Sequence, residues 1–141
     1  MDAADDQPIL PDWPPGTVVI LVTAGIGPHA IPVSAAVRAG PARVLLGLAR
    51  GRGSLRRLRD DQRVALSITA GGDVAVTAYG VARVHAEELV PGVAAVEVVV
   101  ERVQDHGRPT FVIDDGVRWR WTDAEAAARD AEVRRALEGL L

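Results

Sequence analysis

The sequence RVLLGLARGRGSLRRLRDDQRVALSI, residues 43–68, contains the pattern that decides the fold. Apolar and β-branched residues at both ends predict two strands. Between them GSLRRLRDD predicts a short helix, because Ser54 is a favourable N-cap and Leu55 and Leu58 are spaced to share one inward face. The glycines and arginines before this helix allow three interpretations: a nucleic-acid patch, a solvated helix face, or a site for one phosphate group.

The composition is that of one ordinary globular domain. The chain has 141 residues, of which 48% are hydrophobic and 25% charged. The net charge is −3, so the arginines are a local basic cluster in an acidic protein, and we expect no nucleic-acid partner. The absence of cysteine excludes disulfides, thiolate metal sites and a cysteine nucleophile. With no bilayer-length apolar run and no basic, apolar leader, the sequence predicts a cytoplasmic protein without a membrane partner.

The remainder of the chain is a series of strand-like segments joined by tight turns. Residues 1–16 are acidic and proline-rich, which predicts an extended lead-in to a single domain of residues 17–141. Residues 86–92, AEELVPG, are typical of one helical turn, and a long helix is predicted over residues 123–140, capped by Thr122 or Asp123. The segments rich in β-branched residues or alternating in polarity are residues 17–24, 29–37, 43–48, 63–70, 74–85, 94–106, 108–113 and 117–121.

These elements predict a mainly β fold: a small antiparallel barrel of six to eight strands with a short internal helix and a C-terminal helix packed outside. Pro32 lies within the second predicted strand, residues 29–37. Because proline cannot donate a ladder hydrogen bond, we expect this residue at a sheet edge or a bulge.

The histidines and the Asp114–Asp115 pair do not have the sequence pattern of a metal site or a catalytic site. The three histidines are scattered along the chain without the spacing of metal ligands, so no metal site is predicted. Asp114 and Asp115 precede Gly116, which is the composition of a turn rather than of paired catalytic carboxylates.

The segment VRWRW, residues 117–121, alternates basic and aromatic side chains. On a strand, Trp119 and Trp121 would share one face. Such a pair is typical of core or dimer-seam packing, and it also occurs in single-stranded nucleic-acid sites. A third interpretation is that the two tryptophans close over a ligand held by a partner subunit.

Three pieces of the sequence, in order, resemble the flavin-binding split-barrel proteins related to pyridoxamine 5′-phosphate oxidase. They are GPHAIPVSAAV (residues 27–37), RVLLGLARGRGS (residues 43–54) and LRRLRDDQRVALSI (residues 55–68). The resemblance covers about the first ninety residues and depends on the order of the pieces rather than on any one of them.

The resemblance implies a six-stranded antiparallel split barrel that forms a homodimer and binds FMN at each end of the dimer interface. The cofactor phosphate would lie where the third strand enters the short helix, the ring near the second strand, and the ribityl chain along the third. The residues implied to bind the cofactor are Pro32, Val33, Ser34, Leu46, Gly47, Leu48, Arg50, Arg52, Gly53, Ser54 and Thr77.

One position departs from the family pattern and leaves the cofactor open. Many members carry lysine just before the helix leucine, where this chain has Gly53 and Ser54, with Arg50 and Arg52 slightly upstream. The implied function is an FMN-dependent oxidoreductase acting on a small molecule. The alternatives are a reductase dependent on the deazaflavin coenzyme F-420, or a non-catalytic protein that binds a flavin or another phosphate ligand. No catalytic residue is predicted, because the flavin carries the chemistry in such proteins.

Overall fold

The computed structural model describes residues 9–141. Of the predicted lead-in, residues 1–8 lie outside the described residues, and residues 9–16 contain neither helix nor strand. Leu10 is nevertheless buried, and its carbonyl oxygen accepts hydrogen bonds from the guanidinium of Arg38 at 3.0 and 3.2 Å. The described part of the lead-in is therefore packed onto the domain.

Seven strands and two helices form the domain. In chain order they are β1 (Val19–Thr23), β2 (His29–Val33), β3 (Ala36–Arg38), β4 (Arg43–Ala49), α1 (Ser54–Asp60), β5 (Arg63–Ala70), β6 (Val74–Val90), β7 (Val93–Asp105) and α2 (Ala124–Glu138).

All strands pair antiparallel in one sheet, in the order β2-β1-β5-β6-β7-β4-β3. The long central strands β6 and β7 slip register at Tyr79/Gly80 and at Val84/Ala86. Such bulges bend a strand and increase its twist, which allows the sheet to curl around its apolar face. Alternating burial along β5 follows from this curl, because every second side chain enters the enclosed core.

The second predicted strand, residues 29–37, is interrupted, and the sheet has seven strands. This number lies within the six to eight predicted from the segments, but it differs from the six that the resemblance implies. The chain leaves β2 at Ser34 and re-enters the sheet as β3 at Ala36, on the opposite edge. Pro32 lies in β2, which pairs with β1 alone, so its predicted edge position is confirmed.

Three other local predictions are wrong because tertiary pairing prevails over local preference. Residues 86–92 do not form a helical turn: β6 continues to Val90, which pairs with Val93 across a turn with Gly92 at φ +79°. Residues 108–113 and 117–121 do not form strands, since in this part of the chain only Arg118 makes a β-bridge, to Thr17.

The N-cap of α1 differs from the predicted one, and the N-cap of α2 is one of the two predicted. In α1, Leu55 and Leu58 are buried as predicted, but Gly53 rather than Ser54 is the N-cap, and Ser54 is a buried first-turn residue. In α2, Asp123 is the cap as predicted and accepts a 3.1 Å hydrogen bond from the Ala126 N–H.

The core has two parts, one enclosed by the curled sheet and one between α2 and the outside of the sheet. Val133 and Leu137 are the fully buried residues of α2, and they pack with Leu45 and Ala95. Close approach of α2 to β4 depends on Gly47, because a Cβ there would overlap the Cγ1 methyl of Val133. This helix therefore lies beside the point where the chain passes from β2 to β3.

Candidate functional site

A cavity of about 490 Å³ lies where β2, the end of β4 and the segment before α2 meet. Its volume is within the range of small-molecule sites. Its walls combine apolar side chains, exposed backbone and two arginines. The lining residues are Ile31, Pro32, Val33, Ser34, Gly47, Leu48, Ala49, Arg52, Trp119, Arg120, Trp121 and Thr122.

The segment of residues 113–118 holds in place the part of the cavity lining formed by residues 119–122. Gly116 lies directly against the backbone of β5, where any Cβ would overlap the carbonyl oxygen of Thr69. The Val18 N–H donates to the carbonyl of Val117 at 2.8 Å, and the Ile113 N–H donates to the Asp73 carboxylate at 2.8 Å. These contacts fix the chain just before its two tryptophans.

Trp119 and Trp121 both reach the cavity and contact each other edge to face, with ring centroids 5.7 Å apart and planes at 66°. Each remains 42% exposed. The two rings therefore lie together, but not through the predicted strand alternation: the backbone here is not a strand, and Arg120 lines the same cavity as both rings.

Most arginines of residues 50–63 have structural partners. Arg57 donates to the carbonyl of Gly25 at 3.2 Å, and Arg59 pairs with Glu87 at 2.6 Å. Arg63 pairs with Asp61 at 2.7 Å, and hydrogen bonds from Arg63 lower the pKa of that carboxyl to about 2. The basic cluster is therefore largely a set of contacts that attach α1 and its neighbours to the sheet.

Arg52 differs from the other members of this cluster. It lines the cavity, as does Arg120 from the opposite end of the chain. Within residues 9–141, neither guanidinium has a carboxylate partner. Arg50 is outside the lining, 3.9 Å from Glu88. Two unpaired guanidinium groups at one cavity favour an anionic ligand.

Ser34 is the one cavity residue whose side chain is tied to α2. Its hydroxyl donates a 2.6 Å hydrogen bond to Asp130, whose carboxylate is 3.4 Å from the Nε of Arg134. Since the hydroxyl proton is used in this way, the lone pairs of Ser34 Oγ are what it offers a ligand. The contact also fixes the chain at the break between β2 and β3.

The structure brings together six of the eleven residues implied by the resemblance and leaves five outside the cavity lining. Pro32, Val33, Ser34, Gly47, Leu48 and Arg52 line the cavity. Leu46 is fully buried in the core, and Gly53 and Ser54 begin α1. Thr77 is on β6, where its hydroxyl is 2.8 Å from His106 Nε2.

Sequence reasoning missed the lining residues contributed by the end of the chain and by the flanks of β2 and β4. These are Ile31, Ala49, Arg120 and Thr122. The alternation in VRWRW was the available signal for the segment that contains Arg120. It did not locate the cavity, because the path of residues 106–123 depends on packing against β1 and β5.

A second cavity, of about 470 Å³, shares Pro32 and Trp119 with the first. It opens on the outward face of the sheet, where Ile20 and Ser67 pair across β1 and β5. The two cavities are therefore neighbours separated by one tryptophan and one proline.

Within residues 9–141, no cluster of three histidine or acidic side chains is placed to hold a metal ion. None of the helices described is long and apolar enough to cross a membrane.

No protein-family model matches this sequence, and no curated protein matches it significantly. Solved structures do match. A candidate pyridoxamine 5′-phosphate oxidase from Listeria innocua has a TM-score of 0.55 at 15% identity, over 65% of this chain and 90% of that chain. General Stress Protein 26 from Bacillus anthracis has a TM-score of 0.55 at 9% identity, over 74% and 90% of the two chains. An FAD-binding protein from Mesorhizobium loti has a TM-score of 0.52 at 15% identity, over 62% and 81%.

The chain therefore has the split-barrel fold of the proteins related to pyridoxamine 5′-phosphate oxidase. The resemblance drawn from residues 27–68 is confirmed at the level of the fold. At these identities the comparison establishes architecture, and function has to be argued from the site.

Proposed function

We propose that this protein binds FMN in the cavity between β2 and β4 and acts as a flavin-dependent oxidoreductase on a small molecule. The proposal is carried by the guanidinium of Arg52, which has no carboxylate partner among residues 9–141 and lines a cavity that also contains Pro32, Ser34 and Gly47. The FAD-binding protein from Mesorhizobium loti shares the fold, which supports a flavin as the ligand.

The residues present fit such a cofactor. Arg52 would pair with the phosphate, and its planar guanidinium suits a phosphate geometrically. Pro32 and Val33 would contact the ring, with Ser34 Oγ available as an acceptor for a ring N–H. Gly47 and Leu48 would lie along the ribityl chain. The cavity volume, about 490 Å³, is that of a site for one cofactor-sized molecule.

A bound flavin would supply hydride and single-electron transfer, which side chains cannot provide. The chain would contribute binding, orientation and exclusion of water. Among the described residues that line the cavity, the only titratable side chains are Arg52 and Arg120. Arginine keeps its proton in proteins, so the site offers no general acid or base from this chain. The reaction would then be direct transfer between flavin and substrate.

The same proposal includes a homodimer formed through the outward face of the sheet. Ile20, Val22, Ala65 and Val81 are only partly buried on this face, and Val99 is 41% exposed. A partner subunit would remove this apolar surface from water. It would also cover the second cavity, which opens on the same face.

The test is a fluorescence titration of the purified protein with FMN, with riboflavin and with the deazaflavin coenzyme. Arg52→Ala should weaken FMN binding at least tenfold and leave riboflavin binding unchanged, because a charge-assisted hydrogen bond contributes about 1.5–3 kcal/mol. Arg50→Ala is the matched control and should bind FMN as the wild type does, since Arg50 is outside the cavity.

An equal loss of FMN affinity in Arg52→Ala and Arg50→Ala would contradict the assignment of the phosphate to Arg52. Unchanged FMN affinity in Arg52→Ala would contradict it as well. Tight binding of the deazaflavin alone would change the cofactor but keep the site. Reduction of bound FMN by a nicotinamide donor, followed by turnover of an acceptor, would separate an oxidoreductase from a protein that only stores or senses a flavin.

A further inference from the structure

We infer that Trp119 and Trp121 form the ring-binding wall of the cavity, so that the site selects a planar aromatic ligand bearing an anionic group. This inference rests on the proposed function and adds residues to it, because the resemblance assigns neither tryptophan to a ligand. It also places both rings at the cavity of their own subunit rather than at that of a partner.

Both tryptophan rings are unusually exposed for side chains of their size. A tryptophan side chain gains much of its stabilising effect from burial, and exposed pairs are uncommon without a ligand or partner. Trp119 and Trp121 are each 42% exposed, whereas Trp13 packs against the core and donates from Nε1 to the Ala36 carbonyl at 3.4 Å. The pair is thus placed for contact with something else.

The two rings contact each other edge to face. In an edge-to-face pair, one ring uses a face and the other an edge, so the contact between the two rings covers only one of their four faces. The centroid distance of 5.7 Å and the angle of 66° belong to this arrangement. Free indole faces at a cavity are suited to stacking with a planar aromatic group.

Positive charge lies beside the two rings. Arg120 lies between the two tryptophans in sequence and lines the same cavity as Arg52. Neither arginine has a carboxylate partner in the described part of the chain. Aromatic faces with two free guanidinium groups match a ligand that is both planar and anionic, as a flavin phosphate is.

The backbone on both sides of the two tryptophans is fixed by contacts with the rest of the fold. Gly116 is seated against the Thr69 carbonyl and Val117 accepts from Val18, so the backbone is held immediately before Trp119. On the other side, Asp123 caps α2 directly after the second tryptophan and Thr122. The ring positions are therefore set before a ligand arrives, which lowers the entropy lost on binding.

The test is a titration of FMN and riboflavin into wild type, Trp119→Leu/Trp121→Leu and Trp13→Phe, followed by both flavin and tryptophan fluorescence. The double variant should bind both flavins about 5-fold to 150-fold more weakly, the range expected for loss of stacking. Trp13→Phe should bind as the wild type does and keep the quenching of tryptophan emission by FMN. The double variant should lose that quenching.

The effect on riboflavin separates the wall from the phosphate site, because Arg52→Ala should weaken FMN alone. The double variant should unfold in urea at the same midpoint as the wild type, since both rings are already half exposed. FMN affinity within twofold of wild type in the double variant would overturn the inference while leaving the proposed function intact. Failure of the wild type to bind any flavin would instead refute the proposed function and the wall together.

Discussion

The contact between Gly47 and Val133 gives a quantitative test of how α2 shapes the site. A Cβ at Gly47 would overlap the Cγ1 methyl of Val133, and the next nearest atoms are Ala35 Cβ at 3.5 Å and Val93 Cγ1 at 3.6 Å. The overlap is therefore with one methyl group of α2. Valine in a helix has one strongly preferred rotamer, so this methyl cannot move aside cheaply.

The expected energies follow from this geometry. Gly47→Ala should destabilise the protein by about 1–3 kcal/mol, as overpacking of a core does. Val133→Ala removes two buried methyl groups, which at about 0.8 kcal/mol each corresponds to about 1.6 kcal/mol before any cavity effect. In the double variant the new methyl occupies space that the valine vacated. Its unfolding free energy should therefore exceed the additive expectation by about 2 kcal/mol.

The assay is urea unfolding of the four proteins of this cycle, with Gly51→Ala as the matched control. A Cβ at Gly51 has no neighbour within 4 Å, so this substitution should have little effect alone and should add to Val133→Ala without coupling. Additive behaviour of Gly47→Ala and Val133→Ala would refute the reasoning. A Gly47→Ala variant with the same unfolding free energy as the wild type would also refute it.

Three further outcomes are expected. Burial raises the pKa of Glu97, but hydrogen bonds from Arg43 and Arg83 outweigh this effect and lower the pKa overall. The ionised Glu97 therefore stabilises the fold above the ordinary pKa of 4.5, and this stabilisation is lost as the pH falls below that value. Urea unfolding from pH 3 to 7 should show a weaker dependence of the unfolding free energy on pH in Glu97→Gln than in the wild type. Leu58→Ala should lower the free energy of unfolding by about 2–5 kcal/mol, because this core residue is 2% exposed, and a loss under 1 kcal/mol would place α1 away from the core. Val99→Glu should convert a dimer to a monomer in sedimentation analysis with the far-UV circular dichroism unchanged, and a wild-type monomer would contradict the proposed interface.

Local patterns predicted the elements whose conformation depends on neighbours in sequence. The leucine spacing in α1 and the cap of α2 at Asp123 are confirmed. Both depend on contacts within a few residues, which are visible in the sequence. The edge position of Pro32 follows in the same way from its missing N–H.

Where a strand ends, and whether a strand-like segment joins the sheet, depended on distant partners and was not predictable. The continuation of β6 to Val90 depends on β7, and the break after β2 depends on the chain crossing to the other edge of the sheet. The segment of residues 106–123 has strand-like composition, but in the described structure its only β-bridge is from Arg118 to Thr17. A sequence pattern does not show which backbone groups have a partner.

In the candidate site, too, local sequence patterns predicted some residues, and contacts between distant segments decided the others. Glycine and arginine before a helix are recognisable in a sequence as chemistry suited to a phosphate, and of the two arginines predicted there Arg52 lines the cavity. Phosphate binding by Arg52 stays a prediction. The sequence could not separate Arg52 from Arg50, since that difference depends on Glu88 from the end of β6. Nor does the sequence pattern show that Trp121, about seventy residues further along the chain, lines the same cavity as Arg52.

The most direct test of the central claim is a crystal structure of the protein grown with FMN. The account predicts one flavin for each chain in the cavity between β2 and β4, with its phosphate on Arg52 and its ring against Trp119 or Trp121. Flavin bound at another surface, or a cavity that stays empty at saturating FMN, would contradict the account.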